Sequence, residues 1–179
     1  MRRLFVGMFA GVIVTALGSG ALPVAAAGSQ TIVGIAVSNP ANFSTLVAAV
    51  SCTGLVPALN GTTEYTVFAP TNAAFAKLGL NASNVCTALP KATLTDILLY
   101  HVTNGSRLAG SVLNREIRTL LADESFEVDG AGVITTSSGG TSKIVAADIR
   151  ASNGVIHVID SVLIPGENSG QSGEHEGDN

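Results

Sequence analysis

The spacing of hydrophobic residues changes near the middle of the chain, from a helical period to the period of a β-strand. Between residues 31 and 59 apolar side chains recur every three to four positions, and Asn39-Pro40 and Gly54 interrupt the pattern. One stripe consists of Phe43, Leu46, Val47 and Val50. This part of the chain is therefore predicted to form two or three short helices.

An extended segment at residues 65–69 is predicted to lead directly into a helix. The segment stays extended because the residue before a proline avoids the helical region of backbone space. Thr71 or Asn72 can then cap the helix by accepting a hydrogen bond from an amide of its first turn. Phe75 and Leu78 are expected to lie on one face of this helix.

A further helix is predicted to begin at Pro90, since a proline is tolerated in the first turn. Its apolar stripe consists of Leu94, Ile97 and Leu98. Tyr100 and His101 follow this stripe and are expected to end the helix.

From residue 117 onward the apolar residues alternate with polar ones, which predicts strands. These strands cover residues 117–121, 125–128, 133–136, 143–149 and 155–164. Turns are expected at Asp129-Gly130, Gly139-Gly140 and Asn153-Gly154. Helices followed by strands indicate an α+β domain. The last strand is apolar on both faces, so it is predicted to be central and buried.

The charge of the chain limits its partners. Charged residues make up 12% of it, and the formal net charge is −4 at pH 7 with neutral histidines. Nucleic acid is not an expected partner, because proteins that bind it present a basic surface. The length suits one domain with a substantial core, and the low charge leaves much of the surface neutral.

The first 27 residues have the pattern of a secretory signal peptide. Arg2 and Arg3 precede an uncharged stretch, residues 4–27, that ends in three alanines. Cleavage is expected near Ala27, which predicts a protein that is secreted, periplasmic or at the cell surface. The alternative is a retained membrane anchor, since the stretch reaches the ~20 residues that a bilayer span needs.

The last residues of the chain, 167–179, are polar and acidic and contain no side chain suited to a core. A disordered tail is predicted there. The folded domain is therefore expected to occupy residues 28–166.

Cys52 and Cys86 are the two cysteines of the chain. Because an exported protein meets an oxidising environment, we expect them to form a disulfide. Such a bridge stabilises by roughly 3–4 kcal/mol in the chain-entropy model. The alternative is two buried free thiols, and a redox role is disfavoured because no Cys-x-x-Cys spacing occurs.

Three segments resemble the signatures of the fasciclin-like domain family. They are YTVFAPTNAAF at residues 65–75, ILLYHV at 97–102 and ASNGVIHVIDSVLIP at 151–165. Their order and approximate spacing are those of the family, and the resemblance covers roughly residues 30 to 166. It implies a compact β-sandwich wedge flanked by short helices.

The resemblance also assigns roles to individual residues. The opening and closing signatures place structural roles at Phe68, Pro70, Thr71, Asn72, Phe75, Asn153, Gly154 and His157. The middle segment carries the family's tyrosine-histidine pair, Tyr100 and His101, which is important to fold and adhesion in that family. Both are therefore candidate binding residues.

His101 and His157 are also candidates for chemistry, because histidine is the usual general base near neutral pH. A structural role is the alternative for each: His101 stands where a helix ends, and His157 lies within a strand predicted to be buried. The structural role is favoured for both.

The common enzyme signatures are missing from the sequence. It contains no Gly-x-Ser-x-Gly, no His-Glu-x-x-His and no phosphate-binding glycine loop. The protein is therefore not expected to be an enzyme, and no catalytic residue, cofactor or metal site is predicted.

Asp148 and Ile149 form a sharper candidate binding site. They stand just before the closing signature, where some animal members of the family carry an Asp-Ile pair implicated in integrin binding. A carboxylate beside an apolar side chain suits adhesion, because a receptor-bound cation can take the carboxylate. The alternative, which is favoured, is a solvated aspartate at the end of a strand.

The resemblance and the composition lead to two functional hypotheses. The first is a secreted, non-enzymatic adhesion or extracellular binding module whose partner is a cell-surface or matrix protein. Strong adhesion by one such domain would require self-association or clustering. The alternative is a small-molecule carrier in the periplasm or outside the cell, with a lipid or glycan held between helices and sheet.

Overall fold

The computed structural model describes residues 30–166, which form seven helices and seven strands. The helices are α1 (Ile32–Ser38), α2 (Pro40–Thr53), α3 (Val56–Leu59), α4 (Asn72–Ala76), α5 (Val85–Ala88), α6 (Lys91–Tyr100) and α7 (Ala109–Val112). The strands are β1 (Tyr65–Pro70), β2 (Val102–Asn104), β3 (Arg115–Arg118), β4 (Ser125–Val128), β5 (Val133–Thr136), β6 (Thr141–Ala151) and β7 (Gly154–Ile159). The predicted signal peptide and acidic tail lie outside the described residues.

The first three helices confirm the prediction from the helical spacing of apolar residues. Thr31 caps α1, because its Oγ1 accepts a hydrogen bond from the amide of Gly34 at 3.1 Å. Pro40 occupies the first turn of α2, where its missing N–H costs nothing. Gly54 ends α2 in the left-handed conformation, with φ of 84°.

Two helix predictions need correction at their ends. Leu78 is 44% exposed and does not share a buried face with Phe75, because α4 already ends at Ala76. Pro90 stands one position before α6 rather than in its first turn. Its ψ of 141° is extended, so the helix begins at Lys91.

All seven strands lie in one sheet of order β2-β1-β7-β6-β5-β4-β3. β1 and β7 run parallel, and the other neighbouring pairs are antiparallel. The eleven-residue β6 pairs with β5 near its start and with β7 further on. Its register shifts on either side of Ala146, and such irregularities bend a strand. The sheet therefore curves at β6.

The two ends of the sheet approach each other. The amide of Leu120, just after β3, donates to the carbonyl of Val102 in β2 at 2.7 Å. The hydroxyl of Thr103 donates to the carbonyl of Arg118 at the same distance. These bonds nearly close the sheet into a wedge. Together with the helices that flank it, this sheet confirms the predicted α+β class.

Two hydrophobic cores lie on the two sides of β1 and β7. The core under the helices includes Phe43, Leu46, Val50, Val67, Leu94, Leu98 and Ile156. The core inside the wedge includes Phe68, Tyr100, Ile117, Phe126, Ile134, Ile159 and Leu163. Every residue of β7 is buried, so the prediction of a central strand is confirmed.

The last strand is shorter than predicted, ending at Ile159 instead of residue 164. After that point the pairing with β6 involves a side chain, because the amide of Asp160 donates to the carbonyl of Lys143 at 3.1 Å while the carboxylate of Asp160 accepts from the amide of Lys143 at 2.9 Å. Further along, Leu163 is still buried, but its amide bonds to the ring of His101. The hydrophobic pattern therefore continued past the end of the regular strand.

Cys52 of α2 and Cys86 of α5 form a disulfide, with Cα atoms 6.0 Å apart. The predicted pairing is confirmed, and the alternative of two free thiols is wrong. The bridge fastens the short α5 to the longest helix of the described region.

Candidate functional site

Asp148 lies at the irregular part of β6 with a left-handed backbone, φ of 61°. Its carboxylate Oδ1 accepts a hydrogen bond from the amide of Ala109, the first residue of α7, at 2.7 Å. Its own amide donates to Nδ1 of His157 at 3.3 Å. The side chain is exposed, and one hydrogen bond holds its carboxylate while another holds its backbone.

Ile149, the second member of the candidate pair, is half-buried and packs against the core under the helices. It pairs across the sheet with Ile156 of β7. Only part of its side chain is therefore available to a partner, while the carboxylate of Asp148 is more open to solvent.

His157 links three separate parts of the chain. Its Nε2–H donates to the carbonyl of Arg107 at 3.0 Å, while Nδ1 accepts from Asp148. Its ring lies 5.4 Å from the ring of Phe68. Burial lowers the pKa of His157, because a charged ring would lose its hydration. The neutral ring thus holds the bend of β6 in place.

Tyr100 is buried inside the wedge at the end of α6. Its hydroxyl donates to the carbonyl of Ser125 at 2.7 Å and accepts from the amide of Ser137 at 3.1 Å. The ring packs edge-on against Phe126 at 5.8 Å between centroids. This residue therefore ties the end of α6 to the start of β4 and to the residue that follows β5.

His101, the residue after Tyr100, is also buried at the end of α6. Its Nδ1–H donates to the carbonyl of Ile97 at 2.6 Å, and Nε2 accepts from the amide of Leu163 at 2.9 Å. Burial lowers the pKa of His101 to about 4.

The two histidines have little scope for acid–base chemistry in this conformation. Each ring nitrogen of His101 and His157 is already paired with a backbone group. Their pKa values are both lowered by burial, so both rings are neutral near pH 7. The arrangement supports structure rather than proton transfer.

The opening signature joins β1 to the helices. Thr71, not Asn72, caps α4 by accepting from the amide of Ala74 at 3.2 Å. The amide group of Asn72 instead reaches α2, where Oδ1 accepts from Thr45 and Nδ2 donates to the carbonyls of Pro40 and Ala41. Pro70 and Phe75 are buried near this junction, whereas Phe68 of β1 is buried in the core inside the wedge.

The closing signature fixes the turn before β7. Asn153 is buried, and its side chain accepts from the amide of Ile32 and donates to the carbonyls of Leu59 and Gly61. Gly154 follows with φ of 146°, and a Cβ there would lie 1.8 Å from the carbonyl oxygen of Tyr65. No larger residue fits this approach of two backbones.

An apolar cavity of about 140 Å³ lies between the first three helices on one side and β1 with α6 on the other. Its lining includes Ile32, Leu46, Leu59, Val67, Val102 and the ring of His101. The hydrophobic spacing predicted that these helices bury apolar faces, but no sequence pattern signals an imperfect fit between them. The carrier hypothesis placed a ligand between the helices and the sheet, but the sequence did not identify which residues line the cavity or how large it is.

Within residues 30–166, no group of three or more His, Cys, Asp or Glu residues is placed to hold a metal ion. In the same range, no helix has the length and apolar character needed to span a membrane.

The comparison with known proteins decides the family. The sequence model described as Fasciclin domain matches residues 41–165. The chain belongs to the fasciclin domain family. This fasciclin domain is 41% identical over 140 residues to Protein sll1483 of Synechocystis, covering 76% of this chain and 74% of that one. It is 38% identical to the transforming growth factor-beta-induced protein ig-h3 of Sus scrofa, covering 72% of this chain and 18% of that protein.

A solved structure shares the fold of this fasciclin domain. It is the FAS1 domain pair of the insect cell adhesion molecule fasciclin I, with a TM-score of 0.66 and 21% sequence identity. The match covers 76% of this chain and 51% of the solved one. The chain thus spans about half of that pair and a small part of ig-h3.

Proposed function

We propose that this protein is a secreted, non-enzymatic binding module that acts in cell adhesion. Membership of the fasciclin domain family supports the proposal, and a protein of the same fold is named a cell adhesion molecule. The paired nitrogens of both buried histidines support a role without catalysis.

The observation that carries the proposal is the fixed, exposed carboxylate of Asp148. One oxygen is held by the amide of Ala109, and the backbone is held by His157. A carboxylate oriented before binding loses little conformational freedom when it meets a partner. A cation held by a cell-surface or matrix protein is a suitable ligand for it, with Ile149 beside it as a partial apolar contact.

Tyr100 and His101 contribute to this function indirectly in our proposal. Both are buried, so neither meets a partner at the surface of this conformation. They fasten the end of α6 to Ser125 and Leu163, which belong to the sheet and to the segment after β7. Their role is then to keep the binding surface in shape.

The proposed location follows from the amino-terminal pattern. Basic residues followed by a long uncharged stretch fit export through a signal peptide. The disulfide supports an oxidising location, because such bonds persist outside the cytosol. Weak single contacts would be strengthened by self-association or clustering on a surface.

The experiment tests partner binding with two isosteric variants. The exported protein is incubated with cells and matrix extracts, crosslinked, and its bound proteins are identified by mass spectrometry. Asp148→Asn removes the charge but keeps an oxygen for Ala109. Asp123→Asn is the matched control, because Asp123 is also exposed and also left-handed, with φ of 60°.

A specific protein partner that is lost with Asp148→Asn and kept with Asp123→Asn supports the proposal. Partners retained equally by both variants would contradict the assignment of Asp148. Absence of any partner above background would contradict adhesion itself.

A small-molecule carrier is the second candidate function. The observation that favours it is the apolar cavity between the helices and β1, the region where a carrier would hold its ligand. Native mass spectrometry of the exported protein tests it, since a co-purifying lipid or glycan supports a carrier.

A further inference from the structure

Neither Asp148 nor Ile149 is among the residues that line the apolar cavity of about 140 Å³, so the adhesion proposal does not account for it. We propose that it binds a small neutral hydrocarbon group, of the size of one benzene ring or a short alkyl segment. This inference rests on the carrier hypothesis and is independent of the adhesion proposal. It narrows the ligand class from lipids and glycans in general to uncharged hydrocarbon.

The volume sets the size of the ligand. Apolar protein cavities of about 150 Å³ accept benzene or xenon and stay dry. The cavity here has nearly the same volume. A single ring or the end of an alkyl chain fits it, whereas a sugar ring would place its hydroxyl groups against an apolar lining that offers them few hydrogen-bond partners.

The chemistry of the lining excludes charged and strongly polar ligands. Among the described residues that line the cavity, none is Asp, Glu, Lys or Arg. The polar ones are Ser51 and His101. The hydroxyl of Ser51 donates to the carbonyl of Val47, and both ring nitrogens of His101 are paired. A polar ligand would therefore be buried without hydrogen bonds, which is unfavourable.

Two of the residues that line the cavity are exposed to solvent. Val37 at the end of α1 lines it and is 54% exposed, and Ser51 of α2 lines it and is exposed. The start of α1 is fastened instead, because the amide of Ile32 is held by Asn153. A ligand can therefore enter at the Val37 end without disturbing the turn before β7.

The first measurement uses the two buried histidines as reporters. The full protein is titrated with toluene, and the histidine ring signals are followed by NMR. His101 lines the cavity and His157 does not. The aromatic ring current of bound toluene should shift the His101 signals, leave the His157 signals unchanged, and raise the melting temperature.

A pair of variants locates the site. Ala36 lines the cavity and is 9% exposed, so Ala36→Leu fills it. Ala41→Leu is the matched control, because Ala41 is exposed at the start of α2 and is not among the lining residues. We expect at least tenfold weaker toluene binding in Ala36→Leu and unchanged binding in the control.

Val50→Ala keeps the inference testable if Ala36→Leu does not fold. Val50 lines the cavity, and its truncation enlarges it. The enlarged variant should bind naphthalene at least tenfold more tightly than the wild type does. Failure of toluene to move the His101 signals, equal binding by Ala36→Leu and wild type, or unimproved naphthalene binding would each overturn the inference.

A second ligand separates a free hydrocarbon from the end of a lipid chain. Titration with 1-octanol presents an uncharged alkyl chain to the same site. Tighter binding of octanol identifies an alkyl chain, and tighter binding of toluene identifies a free ring compound. If neither ligand binds, the inference is wrong. The adhesion proposal is tested separately, by whether Asp148→Asn loses a crosslinked partner.

Discussion

The ring of His101 and the backbone of Leu163 are joined by a hydrogen bond of 2.9 Å from the amide to Nε2. This bond fixes the segment after β7, where the regular ladder has already ended. It also fixes the tautomer, since Nδ1–H donates to Ile97 while Nε2 must stay unprotonated. Protonation of the ring would break the contact with Leu163.

The free energy of unfolding should therefore fall with acid. The pKa of His101 is about 4 in the folded protein and 6.5 in the unfolded chain, so the unfolded chain takes up the proton first. The stabilisation is complete above pH 6.5 and is lost as the pH falls towards 4, by on the order of 3 kcal/mol. The pKa of His157 is also lowered, so its contribution has the same sign. Urea denaturation at several pH values measures the slope.

His101→Gln is the control for that slope. A glutamine can still accept a bond from the Leu163 amide but does not titrate. The variant should be less stable at pH 7 and lose stability less steeply between pH 6.5 and 4. An unchanged slope would mean that another group controls the acid response.

Gly154→Ala should destabilise the domain severely. The added Cβ would lie 1.8 Å from the carbonyl oxygen of Tyr65, and φ is 146°. Because β1 and β7 would have to separate, we expect a loss of more than about 3 kcal/mol or failure to fold. Thermal unfolding measures it. Gly110→Ala in α7 is the control, since nothing lies within 4 Å of its Cβ, and it should stabilise by up to about 1 kcal/mol. Equal changes in stability for Gly154→Ala and Gly110→Ala would contradict the close approach of Gly154 to the Tyr65 carbonyl.

Tyr100→Phe should cost about 1–3 kcal/mol, because the carbonyl of Ser125 and the amide of Ser137 lose the hydroxyl that they share. Tyr65→Phe is the matched control, since Tyr65 is only half-buried in β1 and its hydroxyl makes no hydrogen bond within residues 30–166. Chemical denaturation compares the two. A loss as large in Tyr65→Phe would contradict the role assigned to the Tyr100 hydroxyl.

Reduction of the disulfide should lower the free energy of unfolding by about 3–4 kcal/mol, because the unfolded chain regains the freedom of the loop between Cys52 and Cys86. Melting temperatures with and without a reductant measure the effect. The double variant Cys52→Ser, Cys86→Ser should match the reduced protein and no longer respond to the reductant. An unchanged melting temperature of the wild type after reduction would show that the bridge contributes little to stability.

The sequence by itself determined the kinds of elements and the family. The helical spacing before residue 59, the two-residue period after residue 117 and the apolar character of β7 on both faces are local patterns. These patterns arise because one face of each helix or strand must be buried, so they can be recognised in the sequence before the fold is known. The three signature segments identified the family through residues that the sequence itself displays, such as Thr71, whose side chain caps α4 by accepting from the amide three positions further on.

The tertiary structure alone decided what those residues contact. Asp148 meets Ala109 across 39 positions of the chain, and His101 meets Leu163 across 62. The cavity exists because α1, α2 and β1 do not fill the space between them, and the unfilled volume is only that of a few methyl groups. Burial, hydrogen-bond partners and shape at such sites arise from packing between distant segments, and periodicity within one segment carries no information about them.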